Sequence, residues 1–173
     1  MKWTAYLPHA IYVAASLDIT NENMEVKITL LDRIGQCQYS IGQYKAAERT
    51  HQQALELRGK VLGLEHPSTL TSMSNLALVL SRQGRYEEAE RMHRQTLELK
   101  EKVLGLEHPE TLTSVWCLAS LLHSRRQYQN SNILYQRACA GYQKILGLEH
   151  PNSLSCLKQH ASLLEDMKRQ NQE

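Results

Sequence analysis

The chain has 173 residues, 42% of them hydrophobic, which is enough apolar material for a packed core and excludes a wholly disordered protein. Its 20 basic and 18 acidic residues leave a formal net charge of +2, so charge gives no case for binding nucleic acid or an anionic membrane surface. The four cysteines form no C-x-x-C pair, and the sequence shows no convincing signal peptide or transmembrane segment. We therefore expect reduced thiols in a cytoplasmic protein without a metal or a cofactor.

The first 23 residues, 1–23, precede a repetitive region and carry a mildly apolar run, Trp3–Leu17. We predict that this run forms a helix that caps the N-terminal end of the repeats. Pro8 is expected to break or bend that helix early, because proline has no N–H to donate and its ring clashes with the preceding turn.

The hexamer Leu-Gly-Leu-Glu-His-Pro occurs three times and begins at residues 62, 104 and 146, which are 42 residues apart. The same shift brings much of the intervening sequence into register, which is the signature of an internal repeat. We predict three complete repeats and a partial fourth that consists of one helix and a polar tail: residues 24–66, 67–108, 109–150 and 151–173.

Each complete repeat contains two stretches in which apolar residues recur every three or four positions, the spacing of amphipathic helices, here called helix A and helix B. A short break separates them, and in the second repeat Gly84 can adopt the positive φ that ends a helix. Gly42 holds the same place in the first repeat, but Arg126 replaces it in the third, so we expect that turn to be strained or differently shaped. No segment indicates a strand, and the sequence predicts an all-α protein of helix–turn–helix repeats.

Small residues recur where the two helices of a repeat must approach closely, since a large side chain would hold their axes apart. On helix A these residues are Gly35, Ala77, Ala119 and Ala161, and on helix B they are Ala47, Ala89 and Ser131. A tyrosine is predicted to open each helix B: Tyr44, Tyr86 and Tyr128.

The repeated hexamer has the features of a joint between repeats. Gly63 permits a left-handed turn that ends helix B, and Pro67 suits the first position of the next helix, where a missing N–H costs nothing. We predict that Leu64 folds back as a hydrophobic plug and that His66 caps the helix or bonds the neighbouring loop. The hexamer is therefore interpreted as structural rather than as a triplicated chemical site.

The pattern of histidines does not indicate catalysis, and we predict that the protein is not an enzyme. His66, His108 and His150 lie one repeat apart, and stacked helices would separate them by about 20 Å, too far to share a metal ion. His51 and His93 recur on a packing stripe and are predicted to lie in the core or at its boundary.

The recurring residues resemble the tetratricopeptide repeat pattern, L-[GA]-x-x-[LY] followed by G-x-Y-x-x-A, and the 42-residue form with L-G-x-E-H-P-x-T-L is similar to that of kinesin light chains. The resemblance covers about residues 24–168 and implies an alpha-alpha superhelix whose A helices line a concave groove. Two segments, YLPHA within Trp3–Ala10 and GQCQYSIGQYKAAE at Gly35–Glu48, are also similar to the start of such arrays in fungal NOD-like, NB-ARC-type proteins. The sequence departs from these families in having no P-loop motif and no heptads for binding a kinesin heavy chain.

The residues predicted to face the groove differ from repeat to repeat, whereas the packing residues recur, which indicates a different role. Donors such as Arg33 can bond a peptide backbone or a carboxylate, and the resemblance to kinesin light chains places Asn75 in the peptide groove. Trp116 offers an apolar surface typical of binding hot spots, but it would be a core residue if its helix were rotated by one position. If no ligand binds, these residues are ordinary solvated side chains. The predicted binding residues are Arg33, Gln36, Ser74, Asn75, Leu78, Arg82, Trp116, Ser120, His123 and Gln159.

Two functions fit this sequence. The first is an adaptor that binds an extended peptide or a partner protein in the groove. The second is a self-association or regulatory module of a larger NOD-like signalling protein. The last repeat favours the second, because Leu154, Leu157, Leu163 and Leu164 form an apolar stripe with no helix B to cover it, and a homodimer could bury that stripe. In both cases we expect protein or peptide partners, and neither nucleic acid nor a membrane.

Overall fold

The computed structural model describes residues 3–17, 21–170 and 172, and over these residues it contains eight α-helices and no strand, which confirms the predicted all-α class. The predicted N-terminal segment and polar tail extend to residues 1–2, 18–20, 171 and 173, which lie outside the described residues. The helices are α1 (Trp3–Ser16), α2 (Asn21–Ser40), α3 (Tyr44–Leu62), α4 (Pro67–Arg82), α5 (Tyr86–Leu104), α6 (Pro109–Ser124), α7 (Tyr128–Leu146) and α8 (Pro151–Gln170).

The chain forms two compact units, which we call the N-terminal unit (residues 1–85) and the C-terminal unit (residues 86–173). In the N-terminal unit α1 packs on α2, α2 on α3 and α3 on α4. In the C-terminal unit α5 packs on α6, α6 on α7 and α7 on α8, and α6 also touches α8. Helices A are therefore α2, α4, α6 and α8, and helices B are α3, α5 and α7. The predicted boundaries of the individual repeats stay a prediction.

The turns between helices A and B have one shape, including the one without glycine. Gly42 and Gly84 have φ values of 79° and 80°, and Arg126 takes the same left-handed region with φ 59°. In each turn the N–H of the next residue bonds the carbonyl five positions back, as in Gln127 to Leu122 at 2.9 Å. The third turn is thus not differently shaped, and its strain lies in the backbone of Arg126, because a side chain is unfavourable at positive φ.

The joints between repeats confirm the structural interpretation of the hexamer. His66 precedes α4, and its Nδ1 accepts a hydrogen bond from the backbone N–H of Ser68 at 3.2 Å, so the histidine is the N-cap. His108 and His150 make the same bond before α6 and α8, at 3.2 and 3.1 Å. These bonds satisfy one of the helix's unpaired N–H groups, which leaves the histidines with a structural role.

Two details of the predicted joint are wrong. Gly63 has φ 86° but ψ 165°, so it occupies the extended region at positive φ that only glycine enters readily, and not the left-handed helical region. Leu64 does fold back on helix B, since a Cβ on Gly59 would lie 3.2 Å from its Cδ2, but it is 69% exposed and is not a buried hydrophobic plug.

The N-terminal helix forms as predicted, but Pro8 does not break it. The helix α1 continues through Pro8 from Trp3 to Ser16. Its Leu7 and Ala14 are buried with residues of α2 and α3 in one apolar cluster. Packing of that face offsets the lost backbone hydrogen bond.

The small residues lie where the helices approach, as the repeat pattern predicts. Ala47, Ala77, Ala89, Ala119 and Ser131 are fully buried. Gly35 has no room for a side chain at all, because a Cβ there would lie 2.7 Å from two atoms of the His51 imidazole. Both His51 and His93 are buried, which confirms their placement in the core.

The last helix A differs from the others because no helix B covers it among the described residues. Ala161 is exposed there, and so are Leu154 (50%) and Leu164. The sequence pattern predicts Leu163 in the exposed stripe, but this residue is fully buried. Leu157 lies between these extremes, so the exposed part of the stripe is smaller than predicted.

Candidate peptide-binding site

In the N-terminal unit the predicted binding residues lie on α2 and α4, and none of them is buried. Arg33 and Gln36 on α2 and Arg82 on α4 are exposed, whereas Ser74, Asn75 and Leu78 on α4 are half-buried. The structure joins α2 and α4 through Arg82, whose Nε donates to the hydroxyl of Tyr39 at 2.9 Å. The guanidinium also lies 5.9 Å from the centre of the Tyr39 ring, a cation–π distance. This surface, formed by α2 and α4, is called the N-terminal wall below.

Asn75 holds the polar group of this wall that is available to a ligand. Within the part of the chain that the structure describes, no hydrogen bond involves the Asn75 side chain, whereas the neighbouring Ser74 hydroxyl donates to the Leu70 carbonyl at 3.2 Å. An amide carries two donors and an acceptor oxygen, which is the complement of a peptide backbone. Asn75 can therefore bond an extended chain without first breaking a bond within the protein.

A pocket of about 850 Å³ lies beside this wall, between α1 and α2. Its lining is mostly apolar, and the polar and charged residues that contribute to it are Thr29, Asp32, Arg33, Gln36 and Ser40. From α1 it is lined by Tyr6, Leu7 and Ala10, which the repeat pattern did not predict because α1 lies outside the 42-residue period. The signal that could have found them is the apolar run in residues 6–10, which was interpreted only as a cap.

An ion pair beneath the N-terminal wall positions its helices. Arg58 of α3 donates to the Asp32 carboxylate of α2 at 2.6 Å, with both side chains less than one-fifth exposed. Arg58 also donates to the hydroxyl of Ser72 on α4, so one guanidinium ties three helices together. The other carboxylate oxygen of Asp32 is buried without a partner, which makes the unit sensitive to loss of the guanidinium.

In the C-terminal unit two of the four predicted binding residues are bonded to each other. The indole N–H of Trp116 on α6 donates to the side-chain oxygen of Gln159 on α8 at 3.0 Å. The hydroxyl of Tyr135 on α7 donates to the same oxygen at 3.1 Å. The Trp116 ring meets the buried Tyr142 ring edge to face, with centroids 6.1 Å apart. Trp116 is half-buried, so it lies at the surface of the fold and not in the core.

His123 completes the surface of α6 and α8, called the C-terminal wall below. Its Nε2 lies 2.9 Å from a carboxylate oxygen of Asp166 on α8, and its ring contacts Tyr128 and Tyr135 edge to face. Ser120 is half-buried beside them on α6. Burial raises the pKa of Tyr135 to about 12, which keeps its hydroxyl protonated as a donor to this wall at neutral pH.

The described residues contain neither a metal-binding cluster nor a membrane-spanning helix. Over the described residues, no three histidine, cysteine or acidic side chains are placed to hold a metal ion together. Of the helices in those ranges, none combines the length and the apolar character that a membrane crossing requires.

Comparison with known proteins agrees with the repeat pattern. A family model described as a tetratricopeptide repeat matches residues 27–102 and 84–143. A nucleotide-binding leucine-rich repeat (NLR)-like protein of Hyaloscypha variabilis is 41% identical over 70 residues, which are 40% of this chain. The match spans only 7% of that relative's length.

Two solved structures have a similar fold. BtubC (BKLC) from P. vanneervenii superposes with a TM-score of 0.66 at 14% identity, covering 95% of this chain and 73% of that one. The nearly identical TPR-like repeats of a Podosopora anserina protein named for kinesin light chain superpose with a TM-score of 0.60 at 24% identity, covering 97% and 88%. Together with the family model and the NLR-like relative, they confirm the predicted resemblance to tetratricopeptide repeats of the kinesin-light-chain type and to a fungal NOD-like protein.

Proposed function

Because this chain belongs to the tetratricopeptide repeat family, we propose that it is a non-catalytic, cytoplasmic interaction module that binds an extended peptide of a partner protein along the N-terminal wall. The observation that carries this proposal is the apolar pocket between α1 and α2, with Arg33 and Gln36 in its lining. Pockets of several hundred Å³ with few polar groups are typical ligand sites. The free thiols of the chain fit a reducing compartment.

The chemistry of the wall suggests the kind of peptide. An apolar side chain of the ligand would fill the pocket against Tyr6 and Ala10, and the Arg33 guanidinium would pair with a carboxylate close to it. Asn75 stands at the position of the next repeat that corresponds to Arg33 in the 42-residue register. Its amide would bond the peptide backbone as the chain continues from α2 to α4. We therefore propose an extended segment with a large apolar residue and a neighbouring acidic one.

The test is selection of peptides from a random displayed library, followed by fluorescence anisotropy on the selected peptides. We expect the peptides to share an apolar residue beside an acidic one, and Arg33→Glu and Asn75→Ala each to weaken binding at least tenfold. Arg91→Glu is the matched control, since Arg91 is an exposed arginine of α5, a helix that does not belong to the N-terminal wall, and it should leave the affinity unchanged. Selected peptides that bind both wall variants as tightly as the unsubstituted chain would show that the site is elsewhere.

A second candidate function is a regulatory or self-association module of a larger NOD-like signalling protein. The identity with an NLR-like protein favours it, and so do the exposed Leu154 and Leu164 of α8, which a second copy could cover in a homodimer. Multi-angle light scattering over a range of concentrations tests this candidate. A dimer that the pair Leu154→Lys and Leu164→Lys converts to a monomer would support it, and a monomer at every concentration would exclude self-association by this chain alone.

A further inference from the structure

Two buried thiols meet in the C-terminal unit. Cys139 on α7 and Cys156 on α8 have their sulfur atoms 2.9 Å apart and share a hydrogen bond. Cys139 is 5% exposed and Cys156 is fully buried. Cys37 and Cys117 are the remaining cysteines, and over the described residues neither is hydrogen-bonded to another thiol.

The internal repeat shows that this pair is a departure at both of its positions. In the 42-residue register, the places of Cys139 and Cys156 are held by Leu97 and Ser114 one repeat earlier. Two repeats earlier they are held by Leu55 and Ser72. The equivalent positions of helix B and of the next helix A therefore hold leucine and serine in the first two joints. In the third joint both facing residues are cysteine, although the chain has only four cysteines in all.

We propose that Cys139 and Cys156 form a modification site at which a small peroxide produces an intrachain disulfide that ties α7 to α8. The sulfurs need to approach by only about 1 Å to reach bonding distance, so α7 and α8 can keep their present packing. A peroxide is the fitting oxidant because it is small and uncharged, whereas a bulky disulfide reagent must displace packed side chains. The site does not depend on the proposed peptide binding.

The reaction balances in two steps. The Cys139 thiolate attacks one oxygen of hydrogen peroxide, the O–O bond breaks, and the products are a sulfenic acid at Cys139 and hydroxide, which takes up the proton that Cys139 released. The Cys156 sulfur then attacks the sulfenic sulfur, the S–O bond breaks, and the oxygen leaves as water with the Cys156 proton. Overall the two thiols lose two electrons and two protons, and one peroxide takes them up and becomes two waters.

The order of the two steps follows from the exposure of the two thiols, and the shared hydrogen bond acts in the same direction. That bond lowers the pKa of Cys139 and raises the pKa of Cys156, with burial of Cys156 acting in the same direction. The thiolate is the nucleophile in such reactions, and Cys139 is also the more exposed of the two. Cys139 is therefore the residue that peroxide attacks, and Cys156 is the resolving thiol.

A disulfide here would restrain α8, the helix that carries Gln159 and Asp166 of the C-terminal wall. Opening of α8 away from α7 would then require reduction first. The disulfide also reduces the conformational entropy of the unfolded chain, so the oxidised protein should melt at a temperature higher by about 5–10 °C.

The experiment treats the reduced chain with a small excess of hydrogen peroxide, removes the peroxide and records intact mass and thermal melting. We expect a loss of about 2 Da with a 139–156 cross-linked peptide after digestion, a raised melting temperature, and return of both with dithiothreitol. The pair Cys139→Leu and Cys156→Ser carries the residues that the other two joints have at these positions, so it should fold and should show neither change. The pair Cys37→Ser and Cys117→Ser should behave like the unsubstituted chain.

The proposal is overturned if peroxide oxidises Cys37 or Cys117 while a peptide carrying Cys139 and Cys156 stays fully reduced. It is overturned equally if the disulfide that forms joins two chains. A cross-link that forms in the unfolded chain in urea but not in the folded protein would also count against it, because the folded contact would then have no part in the reaction.

Discussion

At equivalent positions of the repeat, the N-terminal and C-terminal units make contacts between helices that differ in chemistry. Asp32 and Arg58 form an ion pair in the N-terminal unit. Two repeats later the same positions hold Trp116 and Tyr142, which meet as an aromatic pair in the C-terminal unit. Helices α3 and α7, which carry Arg58 and Tyr142, are both 19 residues long, with a glutamine N-cap and a glycine C-cap. The repeat therefore preserves the backbone of helix B while the chemistry between helices A and B changes.

The N-terminal and C-terminal walls also differ in whether equivalent amide side chains are already hydrogen-bonded. Asn75 in the N-terminal wall has no hydrogen-bond partner among the described residues, whereas its equivalent Gln159 accepts from both Trp116 and Tyr135. A ligand that approaches Gln159 must compete with two existing bonds, and a ligand that approaches Asn75 need not. The difference explains why we place peptide binding on the N-terminal wall and assign the C-terminal wall mainly to stabilising its own unit.

A third equivalent pair has changed its charge. Tyr39 and Arg82 join α2 to α4, and at the corresponding positions His123 and Asp166 join α6 to α8. A cation faces an aromatic ring in one unit, and a carboxylate faces an imidazole in the other. The two walls therefore carry side chains of opposite charge at equivalent positions.

The largest expected effect comes from breaking the ion pair of the N-terminal unit. Arg58→Ala should lower the free energy of unfolding by about 3 kcal/mol, because it leaves a mostly buried Asp32 carboxylate without its cation. Urea denaturation measures this change. The pair Asp32→Ala and Arg58→Ala should cost clearly less than the sum of the two single variants, and strict additivity would show that the two side chains do not interact.

The next effect concerns a buried histidine of the C-terminal unit. Burial, with a smaller contribution from Lys100, lowers the pKa of His93 to about 4, and neither ring nitrogen has a hydrogen-bond partner among the described residues. As pH falls below about 6.5, this histidine takes up a proton in the unfolded chain, whereas in the folded protein it does so only near pH 4. The contribution of His93 to the free energy of unfolding is therefore fully present above about pH 6.5 and is lost as the pH falls toward 4. The loss should approach about 3 kcal/mol at pH 4.

The variant His93→Tyr isolates this contribution, because Tyr135 occupies the equivalent buried position one repeat later. Unfolding free energies from urea titrations at several pH values should fall less steeply between pH 6.5 and 4 in the variant, whatever its stability at pH 7. Parallel pH curves for the two proteins would mean that His93 is protonated in the folded state as readily as in the unfolded chain. The equivalent His51 of the N-terminal unit also has a lowered pKa, caused by burial and partly opposed by Asp32.

A smaller effect, with a more specific test, is expected at the close contact of α2 with α3. Gly35→Ala should destabilise the N-terminal unit by about 1–2 kcal/mol, because the new Cβ would lie 2.7 Å from the His51 ring and a packed core resists such overpacking. In a His51→Ala background the same change should become neutral or stabilising, since alanine favours a helix interior over glycine. Denaturant midpoints of the four proteins give the answer, and destabilisation of equal size in both backgrounds would rule out the contact with the ring.

The sequence was sufficient to predict features that depend on local chemistry and on the period. The His66 cap and the Pro67 helix start follow from residue type at a fixed place, and the small residues follow from their recurrence. The hydrogen bond between Trp116 and Gln159 could not be predicted, because it depends on how far α8 is shifted along its axis relative to α6. The pocket residue Tyr6 lies outside the 42-residue repeat, so the period did not indicate it. The exposure of Leu64 could not be predicted either, because an apolar residue type indicates burial but not how many neighbouring atoms cover the side chain.

The smallest expected effect tests the turn that differs between the units. Arg126 holds a positive φ that Gly42 holds in the N-terminal unit, and a left-handed conformation costs a non-glycine residue about 1–2 kcal/mol. Arg126→Gly should therefore stabilise the protein, but by less than that cost, because glycine also gives the unfolded chain more freedom; the net gain should be about 0.5–1 kcal/mol. The reverse change in the N-terminal unit, Gly42→Arg, should cost a similar amount, since a Cβ there meets nothing within 4 Å and only the backbone conformation opposes it. Thermal and urea denaturation of the two variants should move in opposite directions, and an Arg126→Gly protein less stable than the unsubstituted chain would mean that the arginine side chain contributes more than its backbone strain costs.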